Sequence, residues 1–377
     1  MRFGAGPDHR LQSFRRSRGE VCAVFAGAVS IALASCSRPS VRHEAEAHAA
    51  FVRFVGRVDT SDAKAPRFAW SGSGFVSRFD GTSLAVRLGG GQEYTVVVDG
   101  VVGPKLVPTG GFDVLAQGLV PGVHEVELYR RTEAHLGESS FLGLDVGTGE
   151  LLAPAEPLPR RIEIVGDSIT CGYGNEGADQ ACGFTPETEN HYLSYGALAA
   201  RALGAELSTV AWSGKGVVCN YGDEPDSCTD PLPVYYDRTL PERPASRWGF
   251  ASWQPHAVVV NLGTNDFSTA RDPTPPEFEA AYVALLERIR AAYADAVILC
   301  TIGPMLFGED LATARAGITH AVQARVAVGD AKVKVFEFAP TDPANGYGCD
   351  WHPSLRTHEV MAHTLVAVLR SELGWSG

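Results

Sequence analysis

A change of pattern across a proline-rich linker at residues 153–159 divides this chain into two parts that must fold differently. From residue 51 to 152 the sequence consists of short alternating or β-branched runs that glycine turns separate. Runs of this length and spacing predict an all-β domain, a jelly-roll-like β-sandwich. Within it, the Asp99-Gly100 pair predicts a two-residue hairpin turn between neighbouring strands.

In the second part, residues 160–377, strand-like and helix-like segments alternate. Its candidate strands are the apolar runs 162–165, 257–261, 296–301 and 333–338. Its first predicted helix covers 191–203. A second begins at a capping box at 274–277, and a third covers about 357–373. Alternation of this kind predicts a three-layer α/β/α domain with a parallel sheet, and an active site at the carboxyl ends of the strands.

The first 36 residues have the pattern of an export signal. Four arginines between positions 10 and 18 precede an uncharged stretch, 21–35, which is too short to span a bilayer comfortably. The stretch ends in Leu-Ala-Ser-Cys, which resembles a bacterial lipobox, so cleavage before Cys36 and lipidation of its thiol would anchor the protein to a membrane. The alternative is a plain secretory signal with an incidental cysteine. Residues 37–50 then form a short tether, and we expect an exported lipoprotein at the cell envelope or surface.

The net charge of the chain disfavours one class of partner, and its cysteines predict disulfide bonds. The formal net charge of −12 argues against nucleic acid as a partner, because no basic patch is available to neutralise phosphates. Export favours disulfides among the six cysteines after Cys36, which allow fifteen pairings. Proximity in sequence favours two pairs, and the remaining two cysteines would then bond across a long loop. The expected pairs are Cys171–Cys182, Cys219–Cys228 and Cys300–Cys349.

The pentapeptide Gly-Asp-Ser-Ile-Thr at 166–170 directly follows the first predicted strand of the second part. A serine at such a strand–turn–helix junction exposes its Oγ at the sheet edge, beside backbone N–H groups that point outward. Ser168 is therefore a candidate nucleophile, and the alternative is a serine that only caps a helix. A serine hydroxyl needs a base within hydrogen-bond reach, and His352, just before the last predicted helix, is the candidate.

Two further blocks lie between the serine and the histidine. They are Trp-Ser-Gly-Lys-Gly at 212–216 and Gly-Thr-Asn-Asp at 263–266. Together, the four blocks resemble the SGNH (GDSL-like) hydrolases. The resemblance implies an oxyanion hole formed by the backbone N–H groups of Ser168 and Gly214 and by the side-chain amide of Asn265, with Gly216 as the alternative to Gly214.

One position departs from the SGNH pattern. These enzymes commonly have an aspartate three residues before the histidine, where this chain has Cys349. Asp350, two residues before His352, is the candidate third member of a triad. The alternative is a Ser–His dyad in which a backbone carbonyl orients the imidazole. We expect Asp167 to order the loops around the serine.

The resemblance extends to carbohydrate esterase family 2, in which a β-sandwich precedes an SGNH domain. It rests on the strings at 166–174, 189–196, 213–217 and 352–354. It implies a serine esterase that removes acetyl groups from polysaccharides such as xylan and glucomannan through an acetyl-serine intermediate. It also implies a preference for O6-type positions and no metal or organic cofactor.

The same resemblance suggests where a sugar would bind. Trp212, Trp351 and Tyr221 are candidate sugar platforms, because aromatic faces pack on pyranose C–H surfaces, and ordinary core packing is their alternative. Two rival functions stay open at this point. One is an SGNH esterase or lipase that acts on another acyl ester, and the other is a non-catalytic surface protein that binds glycans.

Overall fold

A computed structural model of the chain describes residues 49–224, 227–268 and 272–376. The predicted signal segment, the lipobox cysteine Cys36 and almost all of the predicted tether lie outside these residues. Within them, none of the helices combines the length and the apolar character that crossing a bilayer requires.

The part before the linker contains two antiparallel sheets whose inner faces share one apolar core, as the sequence predicts. One sheet has the order β1-β4-β9-β6-β7 with β11 beside β4, and the other has the order β2-β3-β10-β5-β8. The Asp99-Gly100 turn is confirmed, because Val98 pairs with Val101 and both turn residues have a positive φ. The strands are β1 (Val52–Val55), β2 (Val58–Asp59), β3 (Arg67–Phe68), β4 (Gly74–Gly81), β5 (Leu84–Gly89), β6 (Tyr94–Val98), β7 (Val101–Val102), β8 (Phe112–Ala116), β9 (Gly122–Arg130), β10 (Ser139–Asp145) and β11 (Glu150–Leu152).

The part after the linker is built on a parallel sheet with the order β13-β12-β14-β15-β16. Its strands are β12 (Arg160–Gly166), β13 (Ala205–Ala211), β14 (Ala257–Asn261), β15 (Val297–Thr301) and β16 (Val333–Val335). All except β13 lie on the predicted apolar runs. The sequence pattern misses β13 because Glu206, Ser208 and Thr209 interrupt its apolar residues, as an edge strand that pairs only with β12 permits.

Helices cover both faces of this sheet, which confirms the three-layer arrangement. Helices α3 and α4 pack on one face, and α2 and α5 pack on the other. The predicted helix over 191–203 is shorter than expected, because Ser194 has an extended backbone and separates a 3-10 turn at His191–Leu193 from α2. The sequence pattern does not predict α4, whose buried side chains are mostly small. The helices are α1 (Ser168–Cys171), α2 (Tyr195–Ala202), α3 (Pro275–Ala292), α4 (Gly308–Ala327) and α5 (Leu355–Leu373).

The sandwich packs directly against the α/β part. Trp70, between β3 and β4, is fully buried in the apolar cluster that includes α3 and α4. Arg57 of the sandwich forms a fully buried ion pair with Glu163 of β12, at an N–O distance of 3.0 Å. The hydroxyls of Tyr236 and Tyr293 also donate hydrogen bonds to the Glu163 carboxylate. These contacts satisfy charges that would be costly to bury alone, so they fix the sandwich on the sheet.

Candidate active site

Ser168 lies at the junction that the sequence predicts, where β12 ends and α1 begins. Gly166 is required there, because a Cβ at this position would lie 2.0 Å from Oγ1 of Thr170. Asp167 caps the helix, and its carboxylate accepts a hydrogen bond of 3.0 Å from the N–H of Ile169. The N–H of Ser168 has no partner among the described residues, so it is available to a bound oxyanion.

His352 contacts the serine directly. Its Nε2 lies 2.8 Å from Oγ of Ser168, and its Nδ1 lies 3.2 Å from the carbonyl oxygens of both Cys349 and Asp350. Since a carbonyl only accepts, Nδ1 carries the proton and Nε2 is free to accept the proton of the serine hydroxyl. Burial lowers the pKa of His352 to about 4, although the two carbonyls and nearby carboxylates act in the opposite direction. The imidazole is therefore neutral near pH 7, as a base must be.

The structure corrects the prediction that the Asp350 carboxylate orients the imidazole. Asp350 has a left-handed backbone (φ 51°), and its carboxylate accepts hydrogen bonds from the Tyr173 hydroxyl (2.7 Å) and the Phe184 N–H (3.2 Å). The carbonyl alternative, a Ser–His dyad, describes the observed geometry. Tyr173, which lies in the string at 166–174 and has no predicted role, stacks on the His352 ring with a centroid distance of 4.1 Å.

The disulfide predictions were wrong for two of the three pairs. Cys219–Cys228 forms as expected, but Cys182 bonds to Cys349, with a Cα–Cα distance of 4.7 Å. Cys171 and Cys300 are free and buried. Cys171 is the last residue of α1 and Cys300 lies within strand β15, whereas the loop after α1 is hydrogen-bonded to the histidine loop. Proximity in sequence therefore misled the pairing, because this contact is made only in the folded chain.

The loop at 212–219 is the second wall of the site. Asp266, which the sequence analysis did not single out, accepts hydrogen bonds of 2.7–3.0 Å from three successive backbone N–H groups of this loop, those of residues 217–219. Gly214 has a positive φ of 77°, and its N–H has no partner among the described residues. The N–H of Gly216 donates to Oδ1 of Asn220 at 3.3 Å, and this contact favours Gly214 over Gly216 as the oxyanion donor.

The amide of Asn265 faces the same loop. Its Nδ2 lies 3.0 Å from the carbonyl oxygen of Lys215 and 3.4 Å from Oδ2 of Asp167. The second contact is long, so a bound oxyanion can replace it. Burial raises the pKa of Asp167 to about 7, and the charge of Asp266 acts in the same direction. Asp167 thus contacts both α1 and Asn265, as its expected ordering role requires.

The three candidate sugar platforms lie in different surroundings. Trp212 is half-buried and packs against Tyr235, with ring centroids 4.9 Å apart. Much of its surface is therefore used in packing inside the protein. Trp351 is 59% exposed and precedes His352. Tyr221 is 67% exposed, and its N–H donates to the carbonyl oxygen of Gly214. Of these three residues, Trp351 and Tyr221 are mostly exposed, although the Trp351 ring also packs against Tyr347 with centroids 5.1 Å apart.

Taken together, a neutral histidine against a serine hydroxyl and two unpartnered backbone N–H groups form an arrangement suited to acyl transfer. The family models agree with this chemistry. Residues 54–155 match the model described as carbohydrate esterase 2 N-terminal, and residues 164–360 match the model of the GDSL-like lipase/acylhydrolase family.

Two related proteins align with both parts of the chain. The chain is 45% identical over 332 residues to the cellulase/esterase CelE of Acetivibrio thermocellus, an alignment that covers 86% of this chain and 40% of CelE. It is 29% identical over 331 residues to an acetylxylan esterase / glucomannan deacetylase of Cellvibrio japonicus, covering 81% of this chain and 86% of that protein.

A solved structure shares the whole two-part architecture. The structure of a family two carbohydrate esterase from Clostridium thermocellum in complex with cellohexaose has a TM-score of 0.82 and 43% identity, and the match covers 86% of this chain and all (100%) of that chain. Because the family models, the relatives and this structure agree across the sandwich and the α/β part, the chain belongs to carbohydrate esterase family 2, within the GDSL-like (SGNH) hydrolases.

Proposed function

We propose that this protein is a serine esterase that removes O-acetyl groups from polysaccharides of the xylan or glucomannan type. The observation that carries the proposal is the 2.8 Å contact between Nε2 of His352 and Oγ of Ser168, beside the unpartnered N–H groups of Ser168 and Gly214. The name of the Cellvibrio japonicus relative, an acetylxylan esterase / glucomannan deacetylase, supports this class of substrate.

The first half of the reaction transfers the acetyl group to the serine. Oγ of Ser168 attacks the acetyl carbonyl while Nε2 of His352 takes its proton, and the carbonyl oxygen becomes an oxyanion. The N–H groups of Ser168 and Gly214 and the amide of Asn265 donate to this oxyanion. His352 then gives the proton to the sugar oxygen as the ester bond breaks, which leaves acetyl-Ser168 and a free hydroxyl.

The second half repeats the same proton transfers with water. His352 takes a proton from a water molecule that attacks the acetyl-serine, the same donors hold the second oxyanion, and the proton returns to Oγ as acetate leaves. The carbonyl oxygens of Cys349 and Asp350 keep the imidazole in one orientation through both halves. No step in this scheme needs a carboxylate on Nδ1.

A preference for O6-linked acetyl groups is part of the proposal. Ser168 is only 7% exposed, so an ester must reach down to it. A primary O6 position extends from the sugar ring on an additional carbon and can do so with the ring outside. Trp351 and Tyr221 then offer faces against which that ring can pack.

The test measures acetate release from acetylated glucomannan and acetylated xylan, with Ser168→Ala as the blank and NMR spectra that show which acetyl groups disappear. We expect release from both polymers, with O6 signals lost first. Faster hydrolysis of long-chain nitrophenyl esters than of nitrophenyl acetate would favour a lipase-like esterase. Binding of the polymers without any hydrolysis, including that of nitrophenyl acetate, would favour a glycan-binding protein.

We also propose that the protein is exported and anchored through a lipid on Cys36, on the strength of the lipobox-like ending of the N-terminal apolar stretch. In a bacterial host, radiolabelled palmitate should enter the wild-type protein and not Cys36→Ser. Equal behaviour of the two proteins would leave a plain secretory signal as the better account.

A further inference from the structure

We propose that Glu133, a residue of the β-sandwich, is a positioning residue for the oxyanion hole of the α/β part. It holds the backbone of Ser213, the residue directly before Gly214. This inference rests on the proposed esterase function and adds a role for the sandwich in catalysis. In this view the sandwich completes the active site and is not a separable accessory domain.

The contact that carries the inference crosses between the two parts of the chain. Glu133 follows β9 of the sandwich, and its side chain is fully buried. Its Oε2 accepts a hydrogen bond of 2.7 Å from the N–H of Ser213. The next N–H along the chain is that of Gly214, the unpartnered donor described above. Only the φ and ψ of Ser213 separate these two planar amides, so fixing the first limits the directions that the second can take.

Glu133 is itself held from several sides. Its N–H donates to Oε2 of Glu189 at 3.1 Å, and its carbonyl oxygen accepts a hydrogen bond of 2.6 Å from the buried guanidinium of Arg130. Arg130 also donates to the carbonyl oxygen of Thr132. Oε2 of Glu133 additionally lies 3.3 Å from Nδ1 of His135. The contacts with Glu189 and Arg130 fix the backbone of Glu133, and His135 contacts the same side-chain oxygen that accepts from Ser213.

Glu133 lies beside a second buried carboxyl, that of Glu189, and a buried guanidinium, that of Arg130. Burial, and then the charge of Glu133, raise the pKa of the Glu189 carboxyl well above its usual value. Burial lowers the pKa of Arg130 only to about 10, so the guanidinium remains a cation near pH 7. The acceptor that Glu133 offers to the Ser213 N–H is its side-chain oxygen Oε2, inside the buried interface between the two parts.

Two hydrogen bonds hold the loop at 212–219 before Gly214: that from the Ser213 N–H to Glu133, and a longer one of 3.3 Å from the Trp212 N–H to the Gly166 carbonyl oxygen. Asp266 holds residues 217–219, on the far side of Gly214. Gly214 between the two anchors has φ of 77° and open space around its α-carbon, since a Cβ there would meet nothing closer than 3.9 Å. A glycine with such freedom keeps a defined direction only if its neighbours are fixed. Misplacing an oxyanion donor by about 1 Å can cost on the order of a hundredfold in rate.

Three substitutions at Glu133 distinguish the effect of side-chain length from the effect of the carboxyl group. Glu133→Gln keeps the length of the side chain and an oxygen that can accept from Ser213. Glu133→Asp keeps the carboxyl group on a side chain that is one methylene shorter, and Glu133→Ala removes the acceptor. The matched control is Glu206→Ala, which breaks another contact between the two parts, the ion pair with Arg53 at the opposite end of β13.

The measurements are kcat and KM for 4-nitrophenyl acetate and the thermal unfolding midpoint of each variant. We expect Glu133→Ala and Glu133→Asp to lower kcat about 10- to 100-fold with KM within about twofold, and Glu133→Gln to stay within about threefold of wild type. Glu206→Ala should lower the unfolding midpoint while kcat per folded molecule is unchanged.

The inference is overturned if Glu133→Asp retains wild-type kcat, or if Glu133→Gln loses as much as Glu133→Ala. It is also overturned if the loss in Glu133→Ala is no larger than that in Glu206→Ala. If Glu133→Ala does not fold, the comparison of the Gln and Asp variants still decides. A wild-type protein that does not hydrolyse 4-nitrophenyl acetate would contradict the esterase proposal itself, which is a different result from normal turnover that Glu133 does not influence.

Discussion

Nδ1 of His352 lies 3.2 Å from the carbonyl oxygen of Cys349, a residue that occupies the position where SGNH hydrolases commonly have an aspartate. The backbone thus supplies the acceptor that a side chain usually supplies. The cysteine side chain, released from that task, forms the disulfide with Cys182. The same short turn therefore orients the base through its carbonyl and is tied to the loop after α1 through its sulfur.

The Asp350→Asn variant tests the carbonyl-oriented dyad. The imidazole keeps both of its backbone acceptors, and an asparagine oxygen can still accept from the Tyr173 hydroxyl. We expect kcat for nitrophenyl acetate to fall less than about tenfold, or 1.4 kcal/mol, from the loss of the nearby charge. A fall of several orders of magnitude would mean that the carboxylate orients the imidazole during turnover.

The Ser168→Ala variant tests the nucleophile. Acetate release from nitrophenyl acetate and from acetylated polymers should disappear, because no other hydroxyl lies at Nε2 of His352 among the described residues. The thermal unfolding midpoint should change little, since the substitution removes one hydroxyl from a residue that remains at the start of α1. More than a few per cent of residual turnover would remove Ser168 from the mechanism.

Much of this architecture could be predicted from local pattern. The strands β12, β14 and β15 are short apolar runs bounded by turn residues, and each is buried in the sheet. The Ser168, Gly214 and Asn265 blocks follow strand ends, where a parallel sheet brings loops together. Edge strand β13 escaped prediction because polar residues interrupt its apolar ones, although two of them, Ser208 and Thr209, are buried in the fold.

Interactions between distant residues could not be predicted in the same way. The Cys182–Cys349 bond joins residues 167 positions apart, and nothing in either local sequence indicates the partner. The contact of Glu133 with Ser213 is similar, because it depends on how the sandwich docks on the α/β part. A glutamate between two strands has no local signal that it will be fully buried.

The disulfide between Cys182 and Cys349 should matter for catalysis as well as for stability. Cys349 lies three residues before His352, and chain-entropy estimates for a loop of this length give about 5 kcal/mol. We expect Cys182→Ser to lower the unfolding midpoint and to reduce kcat, because the turn that holds the imidazole loses its tie. Both quantities are measured in parallel with Cys228→Ser, which breaks the other disulfide.

The Cys228→Ser control opens a bond between residues only nine positions apart, and it does not involve the histidine turn. Its effect on kcat should be the smaller of the two. Equal kcat for Cys182→Ser and wild type would show that the backbone hydrogen bonds of the turn, such as that from the Cys349 N–H to the Gly174 carbonyl, are sufficient.

The acid limb of kcat/KM should lie well below pH 6.5. Burial lowers the pKa of His352 to about 4, so the imidazole remains a neutral base as the pH falls and protonates only near pH 4. Turnover of nitrophenyl acetate across pH 3.5–8, with the protein checked for folding at each pH, measures this limb. A midpoint at or above 6.5 would indicate that a carboxylate pairs with the imidazolium in solution and raises its pKa.

Comparing Asn265→Ala with Asp266→Ala should distinguish an oxyanion donor from a neighbouring residue that supports the loop at 212–219. Removing the amide should lower kcat about 10²- to 10³-fold, a loss of roughly 3–4 kcal/mol in transition-state stabilisation, with little change in KM. The unfolding midpoint should fall only slightly, because the lost hydrogen bonds are those to Lys215 and Asp167. Asp266→Ala is the matched variant, since it leaves three N–H groups without this acceptor, two of them in buried hydrogen bonds, and should destabilise the fold markedly. If Asn265→Ala instead keeps wild-type kcat, the backbone N–H groups of Ser168 and Gly214 hold the oxyanion without it.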